Sequence, residues 1–261
     1  MLEARNITVR YGQREILHGV DFNARAGALT AIVGPNGSGK TTLLRALTGE
    51  VDYGGEVMLE GHNIATARVW ELATIRAVLP QSTPLAFPFT VLEVVRIGQT
   101  RGVAAGREGL IRQALARVGL TGFEGRFYQE LSGGEQQRVQ LARVLAQVWQ
   151  PVENDEPRWL FLDEPVSALD IGHQLQVMQI ARDYASAGGG VVAVMHDLNL
   201  TAMFADSVAL IGDGEIISQG APGLVLRDDL LSRAYRCDVR VNTAPAEGTF
   251  ILPHAARMAA E

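Results

Sequence analysis

The chain has 261 residues, of which 47% are hydrophobic and 20% charged, so it can bury a sizeable core and its composition excludes a disordered protein. No apolar run approaches the roughly 18 residues of a transmembrane helix, and Glu3 and Arg5 stand where a signal peptide would have its apolar core, which predicts a cytoplasmic protein. The net charge of −6 argues against a nucleic-acid partner, which needs a basic surface.

The N-terminal part predicts a small antiparallel sheet. Strand-like runs cover residues 7–9, 16–17, 20–22 and 56–59, with turn residues between them. Tyr11 follows the first of these runs and directly precedes Gly12. An exposed aromatic ring at this position could stack on a flat base such as adenine. The alternative is that Tyr11 only packs at the end of its strand.

A glycine-rich stretch at residues 34–42 fits the P-loop pattern G-x-x-x-x-G-K-[ST]. The apolar run before it predicts a buried strand, and the spacing after it predicts a helix. Backbone N–H groups and the helix N-terminus would together hold phosphates, Lys40 would reach the β- and γ-phosphates, and the Thr41 hydroxyl would bind Mg²⁺. The predicted nucleotide-binding residues are Tyr11, Gly34, Pro35, Asn36, Gly37, Ser38, Gly39, Lys40, Thr41 and Thr42.

The composition and periodicity of the sequence change after Gln81, which closes a strand-like run at residues 76–80. A segment rich in proline and phenylalanine follows, and then two helical patterns appear at residues 91–97 and 110–118. This pattern predicts a helical subdomain, about residues 82–145, inserted into a single domain of residues 1–261 that ends in a tail from about residue 236. Taken alone, Gln81 is also what a polar strand end looks like.

The string formed by Leu131, Ser132, Gly133, Gly134 and Glu135 precedes a helix with an apolar face. A serine and two glycines at a helix start provide N–H groups and a positive dipole end, which makes a second anion site. The alternative is an ordinary capping box between Ser132 and Glu135.

Two apolar strand-like runs end in residues that suit phosphate chemistry. The first run, residues 159–162, is followed by Asp163 and Glu164. Burying two carboxylates at the end of a strand costs free energy unless they bind a cation or water. Asp163 is placed to hold Mg²⁺ and Glu164 to polarise the water that attacks a γ-phosphate. The second run, residues 191–195, ends at His196, which matches a γ-phosphate sensor.

In this order, the motifs resemble the nucleotide-binding subunit of an ABC transporter over roughly residues 1–235. The resemblance implies an α/β fold, with a P-loop NTPase (RecA-like) core, an N-terminal antiparallel β-subdomain and an inserted α-helical subdomain. It also implies a head-to-tail homodimer that hydrolyses ATP, with each ATP between the P-loop of one subunit and the signature segment, residues 131–135, of the other. Two transmembrane permease subunits, and indirectly a periplasmic substrate-binding protein, would be partners at the cytoplasmic face of the bacterial inner membrane, with no nucleic acid involved.

The family's residue roles transfer to matching positions of this chain. Glu164 would be the catalytic base, His196 would contact the γ-phosphate, and Gln81 would link the nucleotide to the helical subdomain. The implied Mg²⁺ ligands are Thr41, Gln81 and Asp163, and the implied loop at the dimer interface is Ser167, Ala168, Leu169 and Asp170.

Finer features resemble the importers for iron chelates, haem and cobalamin, namely the segments at residues 169–175 and 196–200. The connection at residues 149–158 is longer than in most relatives and resembles haemin-import ATP-binding proteins. Haem is therefore the favoured cargo, with ferric siderophore and cobalamin as alternatives. An ABC ATPase that is not coupled to transport is the alternative of a different class, whereas a P-loop kinase would leave the signature segment unexplained.

Overall fold

The structure is a computed structural model that describes residues 1–81, 87–99 and 108–256. Its helices and strands run in the following order: β1 Leu2–Tyr11, β2 Arg14–Ala24, β3 Leu29–Val33, α1 Lys40–Leu47, β4 Gly54–Leu59, β5 His62–Asn63, α2 Val69–Ile75, β6 Arg76–Leu79, α3 Val91–Gln99, α4 Glu108–Arg117, α5 Gly133–Gln147, β7 Val152–Glu153, β8 Glu156–Pro157, β9 Trp159–Asp163, α6 Ile171–Ser186, β10 Gly190–Val194, α7 Leu198–Phe204, β11 Ser207–Gly212, β12 Glu215–Gly220, α8 Pro222–Val225 and α9 Asp228–Tyr235.

The N-terminal strands form the predicted antiparallel sheet, in the order β2-β1-β4-β5. Side chains of β1 alternate between the two faces, so that Leu2, Ala4, Ile7 and Val9 are buried while their neighbours are more exposed. This inner face shares a hydrophobic core with α1 and with one face of the second sheet. The small sheet is thereby held against the helix that follows the P-loop.

The second sheet has the strand order β12-β11-β3-β10-β9-β6, with β12 antiparallel at one edge and the other strands parallel. Strands β3, β9 and β10 are buried along their whole length, as expected for parallel strands covered on both faces. Their carboxyl ends lie side by side and lead to Gly34, Asp163 and His196. Ligands bind at this edge of an open parallel sheet, so the topology defines where the site must be.

Helices α3, α4 and α5 pack against one another on one side of the molecule, at the position of the predicted helical subdomain. Residues 82–86 and 100–107 of that prediction lie outside the described residues, so its boundaries stay a prediction. Within the described ranges, no helix combines the length and apolar character that crossing a membrane requires.

The long connection at residues 149–158 forms a β-hairpin from β7 and β8. Its turn residues, Asn154 and Asp155, have positive φ angles of 54° and 62°, which these two residue types tolerate better than most and which suit a tight hairpin. Arg158 is buried at the base of the hairpin, where it pairs with Glu153 at 3.1 Å and Glu156 at 3.3 Å. The additional length of this connection is therefore structured.

Strands β9 and β10 approach so closely that Gly190 has no room for a side chain. A Cβ at Gly190 would overlap the indole ring of Trp159, which is fully buried. We expect Gly190→Ala to lower the free energy of unfolding by about 1–3 kcal/mol through overpacking, measured as a lower Tm. Gly109→Ala in α4 is the control, because nothing lies within 4 Å of its added Cβ. A Gly190→Ala variant as stable as the control would contradict this account of the packing.

Candidate active site

The P-loop connects β3 to α1, and its backbone conformation depends on glycine. Gly34, Gly37 and Gly39 have positive φ angles of 155°, 78° and 104°. A Cβ at Gly34 would overlap the backbone oxygen of Ile211 in β11, so no larger residue fits this close approach. No side chain of the described residues caps α1, whose first N–H groups can therefore bind an anion.

The Lys40 ammonium group lies inside the P-loop. Its Nζ donates hydrogen bonds to the backbone oxygens of Gly34 at 2.9 Å and Pro35 at 3.0 Å. Burial lowers the pKa of Lys40, while the negative charges of Glu164 and Asp163 act in the opposite direction. A positive charge with little water around it is well suited to bind the phosphates of a nucleotide.

Asp163, at the end of β9, meets Thr41 of the P-loop. The Thr41 hydroxyl donates to Asp163 Oδ1 at 3.1 Å, and Asp163 is almost fully buried. Desolvation raises the pKa of Asp163, the hydrogen bond from Thr41 lowers it, and the charge of Glu164 raises it further. A bound cation would offset this cost of burying a carboxylate.

The oxygen atoms gathered here fit Mg²⁺. Thr41 supplies a hydroxyl, Asp163 a carboxylate and Gln81 an amide oxygen, and oxygen ligands are those that Mg²⁺ prefers. Thr41 and Gln81 line the same cleft. Among the described residues, the P-loop also holds a buried hydroxyl with no hydrogen-bond partner, Ser38 Oγ, as expected where a polar ligand binds.

Glu164 and His196 come from different strand ends and meet directly. His196 Nε2 lies 2.6 Å from Glu164 Oε1, although the two residues are 32 positions apart. Glu164 has a φ of 51°, a left-handed conformation that costs a residue with a side chain roughly 1–2 kcal/mol. Its N–H donates to the backbone oxygen of Val194 at 3.2 Å, which ties this strained turn to the end of β10. Strain of this kind is common at functional sites.

One cleft of about 680 Å³ lies at the carboxyl edge of the parallel sheet. Its lining residues are Arg14, Ile16, Asn36, Gly37, Gly39, Lys40, Thr41, Thr42, Gln81, Glu164 and His196. Arg14 and Ile16 are additions that the sequence motifs did not identify. Their spacing of two residues in β2, which places both side chains on one face, was the signal that could have found them.

Tyr11 lies at the end of β1, paired with Arg14 of β2 and about half exposed at 49%. It lies outside the lining of the cleft, whereas its strand neighbour Arg14 lines it. Its predicted stacking on a base therefore stays a prediction.

The signature segment begins α5 with a capping box. Ser132 N donates to Glu135 Oε2 at 2.8 Å, and Glu135 N donates to Ser132 Oγ at 3.3 Å. The side-chain and backbone hydrogen bonds from Ser132 lower the pKa of Glu135. Ser132 and Gly133 are exposed, and no residue of the segment lines the cleft beside the P-loop. The structure therefore shows the capping box, and the second anion site stays a prediction.

The predicted interface loop follows Glu164 directly. Ser167 Oγ donates to the backbone oxygen of Glu164 at 3.2 Å. At the other end of the loop, Asp170 caps α6 by accepting a hydrogen bond from His173 N at 2.9 Å. The hydrogen bonds of His173 lower the pKa of Asp170, whose carboxylate is exposed. The loop is thus ordered at both ends, with Ala168 and Leu169 between them.

The chain is similar to known proteins over nearly its whole length. A family model described as ABC transporter matches residues 17–167. The chain is 64% identical to the hemin import ATP-binding protein HmuV of Jannaschia sp. (strain CCS1), over 98% of this chain and 96% of that protein. It is 60% identical to the protein of the same name from Roseobacter denitrificans, over 98% of both chains. A dimeric structure of the ATP-binding cassette MJ0796, bound to ADP and Pi, superposes with a TM-score of 0.73 at 28% identity, covering 85% of this chain and 99% of that one.

Proposed function

This chain belongs to the ABC transporter family of ATP-binding proteins, and on that premise we propose that it hydrolyses ATP to drive the import of hemin across a bacterial inner membrane. The similarity of 64% identity to a hemin import ATP-binding protein, over nearly the full length of both chains, carries this proposal. One cleft contains P-loop residues, Glu164 and His196, which would bind ATP and hydrolyse it.

The first part of the mechanism is the binding of the ATP phosphates. The first N–H groups of α1, which no described side chain caps, would bind phosphate oxygens, and Lys40 Nζ would move from the P-loop carbonyls to the β- and γ-phosphate oxygens. Thr41, Gln81 and Asp163 would hold Mg²⁺, which when bound supplies positive charge to the β- and γ-phosphate oxygens. The γ-phosphate is thereby brought to the carboxyl edge of the sheet, where Glu164 lies.

The second part is the attack of water. Glu164 accepts a proton as the water oxygen bonds to the γ-phosphorus, and the bond from that phosphorus to the bridging oxygen breaks, releasing ADP and inorganic phosphate. His196 Nε2, at 2.6 Å from Glu164 Oε1, holds this carboxylate in place and lies where it can also contact the γ-phosphate. The low exposure of the Glu164 side chain, 15%, keeps most bulk water away from the base.

The separation of the signature segment from the P-loop cleft supports a head-to-tail homodimer. Ser132 and Gly133 are exposed at the start of α5, and no residue of the segment lines the cleft of its own chain. In the dimer, Ser132 and the first N–H groups of α5 complete the ATP site of the partner subunit. A related cassette with 28% identity forms a dimer with ADP and Pi bound.

The helical subdomain supplies a surface for the membrane partners. Phe87, Ile97 and Phe127 are exposed to 68%, 45% and 46%, which is unusual for large apolar side chains. Gln81 lines both the cleft and a second pocket that Tyr128 of the helical subdomain also lines, so a change at the nucleotide can reach this subdomain. We propose that two permease subunits bind here from the membrane, at its cytoplasmic face, and that a periplasmic substrate-binding protein delivers the cargo to them.

The test of the proposed function is the ATPase rate of the transporter, assembled with its copurified permease subunits in liposomes. We expect hemin-loaded binding protein to stimulate the rate, and ferric-siderophore-loaded or cobalamin-loaded binding protein to leave it at the basal level. Stimulation by one of the other cargoes would keep the catalytic assignments and replace hemin. A chain that copurifies with no membrane subunit would instead favour an ABC ATPase that is not coupled to transport.

A further inference from the structure

We infer that Gln137 is a positioning residue, which ties the signature helix α5 to the turn that carries Glu164 and so links the two ATP sites of the dimer. The inference rests on the proposed function, because it assigns Glu164 to the ATP of its own subunit and Ser132 to the ATP of the partner. The residue itself belongs to neither set of predicted site residues. It lies at the end of the first turn of α5, half-buried against the loop that follows β9.

One side-chain amide holds both ends of the turn at residues 164–168. Gln137 Nε2 donates to the backbone oxygen of Glu164 at 2.9 Å, and Gln137 Oε1 accepts from the backbone N–H of Ala168 at 3.3 Å. A neutral amide is the side chain that offers one donor and one acceptor side by side, as a carbonyl and an N–H require. The side chain of Gln137 therefore holds Glu164 and Ala168 together through two matched hydrogen bonds.

The other bonds to the Glu164 oxygen come from within the same turn. Ser167 donates to it from its N–H at 3.4 Å and from its Oγ at 3.2 Å. Among the described residues, Gln137 is the donor that comes from a different element. The start of α5 also packs closely against the turn, because a Cβ at Gly134 would lie 3.2 Å from the Ala168 oxygen. The turn is therefore coupled to the position of α5.

This coupling matters because Glu164 is in a left-handed backbone conformation, with a φ of 51°. The direction of its carboxylate depends on that backbone, and a base misplaced by a fraction of an ångström loses much of its effect. When the ATP bound to the partner's P-loop contacts Ser132 and moves α5, Gln137 transfers this movement to Glu164. Glu164 is the base of the other ATP site, which contains the P-loop of its own subunit. Gln137 thus couples the presence of ATP in one site to the position of the catalytic base in the other site.

The first test compares Gln137→Met with Gln147→Met in the assembled transporter. Gln147 is a matched control on the same helix, since its Nε2 donates to two backbone oxygens, of Ala73 at 2.9 Å and Arg76 at 3.0 Å, away from Glu164. We expect Gln137→Met to lower kcat by about 10–100-fold, with the Kd for a fluorescent ATP analogue within about twofold of wild type, and the control to keep the wild-type kcat.

A second variant covers the case in which Gln137→Met does not fold. Gln137→Glu retains an acceptor for Ala168 but places an oxygen, without a donor, against the carbonyl of Glu164. It should also lower kcat with the Kd retained. A wild-type kcat in both variants, or an equal fall in Gln147→Met, would overturn the inference. A wild-type protein without ATPase activity would overturn the proposed function instead.

Heterodimers with differently tagged subunits test the direction of the link. Glu164→Gln removes the base of its own ATP site, and Gln137→Met should damage the site of its own Glu164. Placed on a single subunit, the two changes damage the same site and leave one intact. On opposite subunits, they damage both. We expect faster single-turnover hydrolysis when the changes are on a single subunit, and equal rates or the reverse order would overturn the inference.

Discussion

Glu164→Gln is expected to slow ATP hydrolysis by roughly 10²–10⁴-fold, the usual contribution of a positioned general base. The amide has nearly the shape of the carboxylate and can still pair with His196 Nε2, which now lies 2.6 Å from Glu164 Oε1. It cannot take the proton of the attacking water. ATP should therefore remain bound between two closed subunits, and the dimer should be stable enough to isolate by size-exclusion chromatography with ATP present.

The matched control for this prediction is Glu215→Gln, which makes the same change at an exposed position of β12. It should hydrolyse ATP at the wild-type rate and show no ATP-dependent dimer of increased stability. If Glu164→Gln also turned over at the wild-type rate, the assignment of Glu164 as the base would be wrong.

Ser132→Arg is expected to lower hydrolysis by on the order of 10²–10³-fold, as removal of preorganised hydrogen-bond donors from a phosphate-transfer site does. The arginine would fill the space in which the partner's ATP meets the start of α5. The P-loop of the same chain should be unaffected, because the signature segment does not line its cleft. ATP binding to the isolated monomer, measured by titration of a fluorescent analogue, should thus stay near the wild-type affinity.

The substitution also removes a helix cap, which costs about 1 kcal/mol, and a control must account for that loss. Thr90 forms an equivalent capping box with Glu93 at the start of α3, where Thr90 N donates to Glu93 Oε2 at 2.7 Å. Thr90→Arg should cause a similar decrease in Tm with basal hydrolysis retained in the protein without permease subunits. A monomer of Ser132→Arg that no longer bound ATP would contradict the two-subunit geometry.

The fold was predicted well from the sequence because its motifs are local. The buried strand, the loop with glycines and the following helix are adjacent in the chain, and β3, the P-loop and α1 have that form in the structure. The antiparallel N-terminal sheet and the α/β core also follow the predicted pattern. Relatives and solved structures confirm the family and the fold.

Several contacts could not be predicted from the sequence, because they join segments that are far apart in the chain. Arg14 and Ile16 line the cleft only because the small sheet packs beside the P-loop. The hairpin at residues 152–157 had no strong strand pattern, since each of its strands has two residues. The bond from Gln137 to Glu164 crosses 27 positions of the chain and has no local signal.

The sequence by itself determined which chemical groups are present and their local backbone form. Glycines permit the positive φ angles of the P-loop, apolar runs predict buried strands, and polar residues after those runs predict a site at the strand ends. Only the tertiary structure decided which of these groups meet. The order β3-β10-β9 places His196 beside Glu164 and Asp163 beside Thr41, because neighbours in a parallel sheet are chosen by long-range packing, which adjacent residues do not encode.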